Sequence, residues 1–241
     1  MNYLVSKPYA YINRNDFSEE QWQEIKDGMK KKLEVNLYAK KYYHQSQMRE
    51  IRLGLESGLN VSAYMDRFIH SKDMMIIRKG LEKGVDILPY SDSRFNYRQK
   101  EEILLGLLSR IDVSKYAKEY YNEWKMKEVR LGLEQEIDLS MYLDDYNHHQ
   151  IHLLRIGLER GVDISILEEP NLKQAQMAEI LIGLLNHIDV SSYANFEIPI
   201  EIMRERRAEL EKIKYPNQEV EVIEIERKNN GKKRKNRGRT N

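Results

Sequence analysis

The sequence predicts an all-α fold: an α-solenoid of seven 26-residue helix–turn–short-helix repeats with terminal caps. Three observations carry this. A glycine recurs at Gly28, Gly54, Gly80, Gly106, Gly132, Gly157 and Gly183, in steps of 26 with a single step of 25. Apolar residues keep the same register around it, at offsets that share one face of a 3.6-residue helix. An acid or asparagine followed by serine returns after each of these segments, as in "DVSKY" at 112–116. A unit of this size cannot bury its own apolar stripe, so neighbours must stack.

The first element is an N-terminal cap, residues 1–16. Its Tyr11 and Ile12, with Phe17 beyond them, resemble the second half of a preceding repeat. The repeats occupy 17–215, and each opens with a long helix. Six residues before the glycine stand Trp22, Met48, Met74, Lys100, Met126, Ile151 and Met177; three before it stand Ile25, Ile51, Ile77, Ile103, Val129, Leu154 and Ile180. The glycine lies on this same side. It costs a helix about 1 kcal/mol relative to alanine, so its recurrence on the buried face calls for a packing reason. The expectation is a neighbouring helix that approaches too closely for a β-carbon.

The turn comes next, where Gly58, Gly84 and Gly161 stand at the place to end the long helix. The serine column (Ser62, Ser114, Ser140, Ser165, Ser191) is then expected to N-cap the short helix, which carries Tyr38, Tyr64, Tyr90, Tyr116, Tyr142 and Tyr193. A last apolar column, Phe17, Tyr43, Ile69, Phe95, Tyr121, Tyr146, Leu172 and Ile198, leads into the following helix. After the seventh repeat, Arg206 and Glu209 take the isoleucine and glycine places, so nothing stacks closely beyond them. Residues 216–241 are expected to be an acidic linker and a disordered basic tail: "EVEVIEIE" at 219–226 alternates like a strand that could add to a partner's sheet edge, with the linker favoured, and the tail beyond it is too polar and charged to fold alone.

Longer similarity runs through the array. "LLGLLSRIDVSKYA" at 104–117 and "LIGLLNHIDVSSYA" at 181–194 agree at ten of fourteen positions, three repeats apart, which implies a duplicated three-repeat block. The unit resembles the "IRLGLExGxDVSxYA" helical repeats that occur in tandem in proteins of Gram-positive anaerobes, some associated with mobile elements. That resemblance covers 17–215 and implies an architecture; it brings no catalytic residue.

Composition narrows the function. The chain has no cysteine, which excludes disulfides, thiolate zinc sites and cysteine nucleophiles. No apolar run reaches membrane-spanning length, and the start lacks the h-region of a secretory signal, so a cytoplasmic protein without a membrane role is expected. All 39 acidic residues and 32 of the 40 basic ones lie in 1–226, a balance of −7, while 227–241 hold eight basic residues and no acid.

Enzyme signals are weak. His148 and His152 lie four apart, the spacing of a helical metal pair, with Asp144 and Asp145 upstream but no third ligand identified. A serine in every repeat suits capping, since catalysis needs one activated serine. Basic residues two before the glycine (Lys26, Arg52, Arg78, Arg130, Arg155, Arg207) form a row, mostly faced by glutamates four residues on.

In the fourth and seventh repeats that arginine and glutamate are Leu104 with Leu108 and Leu181 with Leu185. These helices are either covered by the chain itself or present contact patches. The four leucines are the candidate partner-binding residues. The function expected is a non-catalytic protein–protein interaction scaffold, with no cofactor and no small-molecule substrate. The alternative is a nucleic-acid-associated accessory protein, perched on Lys232, Lys233, Arg234, Lys235, Arg237 and Arg239 of the tail.

Overall fold

The computed structural model describes residues 12–216. They form eight α-helices and, among the described residues, no strand. The helices are α1 Glu19–Lys30, α2 Gln45–Glu56, α3 Ser71–Glu82, α4 Tyr97–Leu108, α5 Glu123–Leu133, α6 His148–Glu159, α7 Gln174–Leu185 and α8 Ile200–Lys214. Helix starts are 26 residues apart, except for 25 between α5 and α6. The chain divides into two compact bodies, meeting in sequence at Ile151 and His152. In the first, α1 packs on α2, α2 on α3, α3 on α4 and α4 on α5; in the second, α7 packs on α8. Consecutive helices thus pack in order, as in an α-solenoid of repeats. The isoleucine column is fully buried in every repeat.

The first seven helices end alike. The fourth residue after the column glycine adopts a left-handed backbone: Lys32, Gly58, Gly84, Arg110, Glu136, Gly161 and His187. The next residue returns its N–H to the column glycine's carbonyl, from Leu33 to Gly28 at 3.0 Å through Ile188 to Gly183 at 2.8 Å, which closes a Schellman motif. Four of the seven left-handed places hold a side chain, and that conformation costs an L-residue about 1 kcal/mol. Arg110→Gly is therefore expected to raise stability by about 0.5–1 kcal/mol, read as an increase in thermal midpoint; an unchanged or lower midpoint contradicts this.

The glycine column has a different occupant from the one expected. A β-carbon at Gly106 would lie 2.0 Å from the Tyr116 hydroxyl and 2.8 Å from Val113, both in the same repeat. Gly28, Gly54 and Gly183 meet Tyr38, Tyr64 and Tyr193 in the same way. The turn that follows each helix folds back into the glycine notch, and three tyrosine hydroxyls there donate to Glu24 O, Glu50 O and Glu102 O at 3.1–3.3 Å. Where isoleucine or leucine replaces the valine, it enters the notch itself: Ile87 at Gly80, Leu139 at Gly132 and Ile164 at Gly157. In those repeats the turn is shifted by one residue. The 3-10 turns Val35–Leu37, Val61–Ala63 and Val113–Lys115 begin seven residues after the glycine; Leu88–Tyr90, Ser140–Tyr142 and Ser165–Leu167 begin eight after it.

The short helix is thus a single 3-10 turn, and serine is not its cap. Asn60, Asp112, Asp138, Asp163 and Asp189 accept the backbone N–H of the serine two residues on, at 3.0–3.1 Å. Asparagine and aspartate out-compete serine here because their longer side chain reaches its own backbone two residues ahead.

The arginine row is paired more fully than the i,i+4 spacing implies. Arg130 donates through Nη1 to Glu134 at 2.8 Å and through Nε to Glu102 of the preceding helix at 2.8 Å. Arg52, Arg78 and Arg207 likewise bridge Glu24 to Glu56, Glu50 to Glu82 and Glu179 to Glu211. Burial alone would raise the Glu134 carboxyl, but hydrogen bonds from Ser109 and Arg130 outweigh it and hold the group below its ordinary value; Glu56 and Glu82 behave likewise.

Asp138, opposed by burial but held by Lys115 and Ser140, falls to about 2. A depressed folded pKa gives stability that is complete above the unfolded value and lost as pH falls through the folded one. Burial pushes the Tyr64, Tyr116 and Tyr193 phenols up, so their contribution is complete below the unfolded value of 10.0 and lost above it. Thermal midpoints should therefore form a plateau between about pH 4.5 and pH 10, falling on both sides. A midpoint that holds down to pH 2.5 would contradict the acid limb.

Candidate protein-docking edge

The edge of the first body formed by the helix N-termini is built by a repeated clamp. The N-cap residues His44, Asn96 and Asn147 each give a backbone N–H to the side chain of a glutamine three residues on: Gln47 at 2.9 Å, Gln99 at 2.7 Å and Gln150 at 2.9 Å. Two of these glutamines reach forward as well. Gln47 Nε2 donates to Arg67 O and Ile69 O, and Gln99 Nε2 to Glu119 O and Tyr121 O, at 2.6–3.0 Å. The connector of the next repeat, a tight turn closed by Ile69 N–H to Asp66 O and by Tyr121 N–H to Lys118 O at 3.1 Å, is thereby pinned against the helix N-terminus.

Doubled aromatics split across that turn. Tyr43 is 3% exposed and Tyr121 8%, while their neighbours Tyr42 and Tyr120 are 54% and 70% exposed; Phe68, at the place of Tyr42 in the next repeat, is 80% exposed. The outer side chains touch from repeat to repeat. The Arg67 guanidinium lies over Tyr42 at 5.7 Å and over Phe68 at 4.6 Å. Lys72 Nζ sits 4.4 Å above Tyr97, Arg98 pairs with Glu123 at 3.2 Å, and the half-exposed Trp124 stacks on His148. Beside Phe68 a cleft of about 530 Å³ is lined by His44, Ser46, Gln47, Ile69 and His70. Among the described residues Arg67 and Lys72 meet no carboxylate at ion-pair distance, in contrast to the bridging arginines. Aromatic rings and arginine on an accessible edge are the side chains that dominate binding energy at protein interfaces.

The predicted contact leucines are placed unequally. Leu104 and Leu181 are buried against the glycine column, 3.3 Å from a Gly80 β-carbon and 3.4 Å from a Gly157 one. The chain itself covers these two. Leu108 is 40% exposed and Leu185 half-buried. The glutamate of the preceding helix also changes, to Ile76 and Leu153, both buried. Each charged trio is thus replaced by an apolar one. Lys232, Lys233, Arg234, Lys235, Arg237 and Arg239 lie outside the described residues.

His148 and His152 serve the helix: His148 stacks on Trp124, and His152 Nδ1 lies 3.1 Å from the Arg155 guanidinium. Asp144 accepts the Tyr121 hydroxyl at 2.7 Å. Among the described residues no three histidine, aspartate or glutamate side chains gather as a metal-binding group, and no helix is long and apolar enough to cross a membrane.

The sequence reading missed both the clamp and the outer aromatics. The signals were a glutamine recurring at Gln21, Gln47, Gln99, Gln150 and Gln176, and the pair "YY" at 42–43 and 120–121. Comparison with known protein families, with curated proteins and with solved structures finds no match to the chain.

Proposed function

We propose that this chain is a non-catalytic scaffold of the cytoplasm that binds another protein along the N-terminal edge of helices α2–α6. One observation carries the reading: Tyr42, Phe68 and Tyr120 are turned outward at the same place in three repeats, with Arg94 in the repeat between the last two and Arg67 stacked between the first two. The ends of such rings are exposed at the expense of hydrophobic burial (about 25 cal/mol per Å²), an arrangement suited to a surface that is covered in use. Leu108, at the C-terminal end of α4, is a further accessible apolar side chain away from this edge.

The test is affinity capture from native extract by the full chain and by a Tyr42→Ala, Phe68→Ala, Tyr120→Ala variant. All three side chains are exposed, so the thermal midpoint should not move. The expected result is a stoichiometric protein partner that resists nuclease and is lost with the variant. Capture that disappears with nuclease and with removal of 227–241, while the variant retains it, would favour the nucleic-acid reading and sink this one.

A further inference from the structure

The cleft beside Phe68 lies between the starts of two successive helices. His44 is the N-cap of α2 and His70 that of α3, and both line the cleft together with Arg67, Phe68 and Ile69. Each imidazole is held in one tautomer. His44 Nδ1 accepts the Ser46 N–H at 3.3 Å and His70 Nδ1 the Lys72 N–H at 3.2 Å. The proton of each neutral ring therefore sits on Nε2, on the side away from that bond. Arg67 lies over Phe68 at 4.6 Å and, among the described residues, meets no carboxylate at ion-pair distance. The acids nearest in sequence are engaged: Asp66 accepts the Phe68 N–H at 3.0 Å, and Asp73 holds Lys100 at 2.6 Å. No described residue lining the cleft carries a carboxylate. It offers two imidazole N–H groups and a guanidinium beside the positive ends of two helices, with the exposed Phe68 ring and the half-buried Ile69 as an apolar wall.

We propose that this cleft takes one acidic side chain of a partner protein, its carboxylate on Arg67 and the imidazole N–H groups, and the large apolar side chain beside it in the partner's sequence against Phe68 and Ile69. This deepens, and rests on, the reading of the edge as a protein-binding surface. One guanidinium balances one carboxylate, a pairing that is commonly bidentate. The charge of −7 on residues 1–226 is spread along the array, and screening over about 8 Å leaves the cleft to its own surroundings. A polynucleotide would need a comparable site in each repeat that it crosses. The following repeats do not offer one: Arg94 is paired with Asp92 at 2.8 Å and Arg98 with Glu123 at 3.2 Å, and the connectors beyond carry Glu119, Asp144 and Asp145. A single anchored carboxylate fits this pattern, and a row of phosphates does not.

The test is selection of random dodecapeptides displayed on phage against the immobilised full-length chain. Enriched sequences are expected to carry aspartate or glutamate within two residues of phenylalanine, leucine or isoleucine. A synthetic peptide of the most enriched sequence should bind about tenfold more weakly when its acid is changed to the amide, and as weakly to Arg67→Ala. Selection on Arg67→Glu should turn toward lysine and arginine. Arg67 is exposed, so both variants should keep the parent's thermal midpoint. The proposal is overturned if no peptide is enriched, if the enriched peptides lack acids, if the amide binds as well as the acid, or if Arg67→Glu selects the same sequences. It is equally overturned if a single-stranded RNA decamer displaces the peptides and needs Arg67 to bind. Should any of these outcomes occur while the triple-alanine variant still loses its captured partner, the scaffold reading stands and carboxylate recognition alone fails. If the triple-alanine variant keeps its partner as well, both fall.

Discussion

Gly106→Ala should lower stability by about 2 kcal/mol, although it adds the best helix former to the middle of a helix. Overpacking a filled core site costs about 3 kcal/mol, and the helix propensity returned is about 1 kcal/mol. The added methyl would sit 2.0 Å from the Tyr116 hydroxyl, on a ring that is fully buried and has nowhere to turn. Tyr116→Phe removes that oxygen and its bond to Glu102 O, at a cost of about 1 kcal/mol by itself. Combining the two should cost less than the sum, since removal of the hydroxyl relieves the 2.0 Å contact and leaves those to Val113 at 2.8 Å and to the ring carbon at 3.2 Å. A double-mutant cycle by chemical denaturation reads the coupling. Additive losses would mean that the tyrosine is not what excludes the methyl.

Arg130→Ala should cost about 2–3 kcal/mol, the second large effect. The side chain is buried, and its loss leaves Glu102 and Glu134 facing each other with no cation between them. Breaking a fully buried pair costs 3–5 kcal/mol, and the partly open carboxylates here reduce that. Because repeats are held mainly by their nearest neighbours, the loss should also weaken the α4–α5 junction selectively, seen as faster hydrogen exchange there. The complete exchange Glu102→Ile, Arg130→Leu, Glu134→Leu should be neutral or stabilising, since it copies the trio Ile76, Leu104 and Leu108 that the preceding junction already uses. If the triple variant proves as unstable as Arg130→Ala, the charged trio has a role that apolar packing cannot replace.

These two experiments mark where the sequence was legible and where it was not. The periodic glycine, the buried isoleucine face and the order of helices were readable because each is a local pattern repeated seven times. The glycine's neighbour was misassigned because Tyr116 and a residue of the next helix are equally compatible with one chain's spacing; only the path of the turn decides between them. The Arg130–Glu134 pair was visible at i,i+4, but the Glu102–Arg130 link spans 28 residues and depends on which helix faces which. Its trace was present all the same, since Ile76 changes together with Leu104, and Leu153 with Leu181. At the docking edge, Tyr43 and Tyr121 were read as interior residues, and their outward twins Tyr42 and Tyr120 went unremarked beside them. The turn that separates each pair is held by a glutamine of the preceding long helix, Gln21 Nε2 donating to Tyr43 O at 2.7 Å and Gln99 Nε2 to Tyr121 O at 2.6 Å.

The glycine and the side chain that fills its notch belong to the same stretch of 26 residues, and this bears on how such an array grows. A whole repeat copied or deleted takes lock and key with it, so the fit inside every module survives recombination. What must agree at a new seam is the trio shared across it, charged on both sides or oily on both sides. Chimeras joined between like seams should therefore assemble, whereas those that set an arginine opposite Ile76 or Leu153 should fail at that one joint.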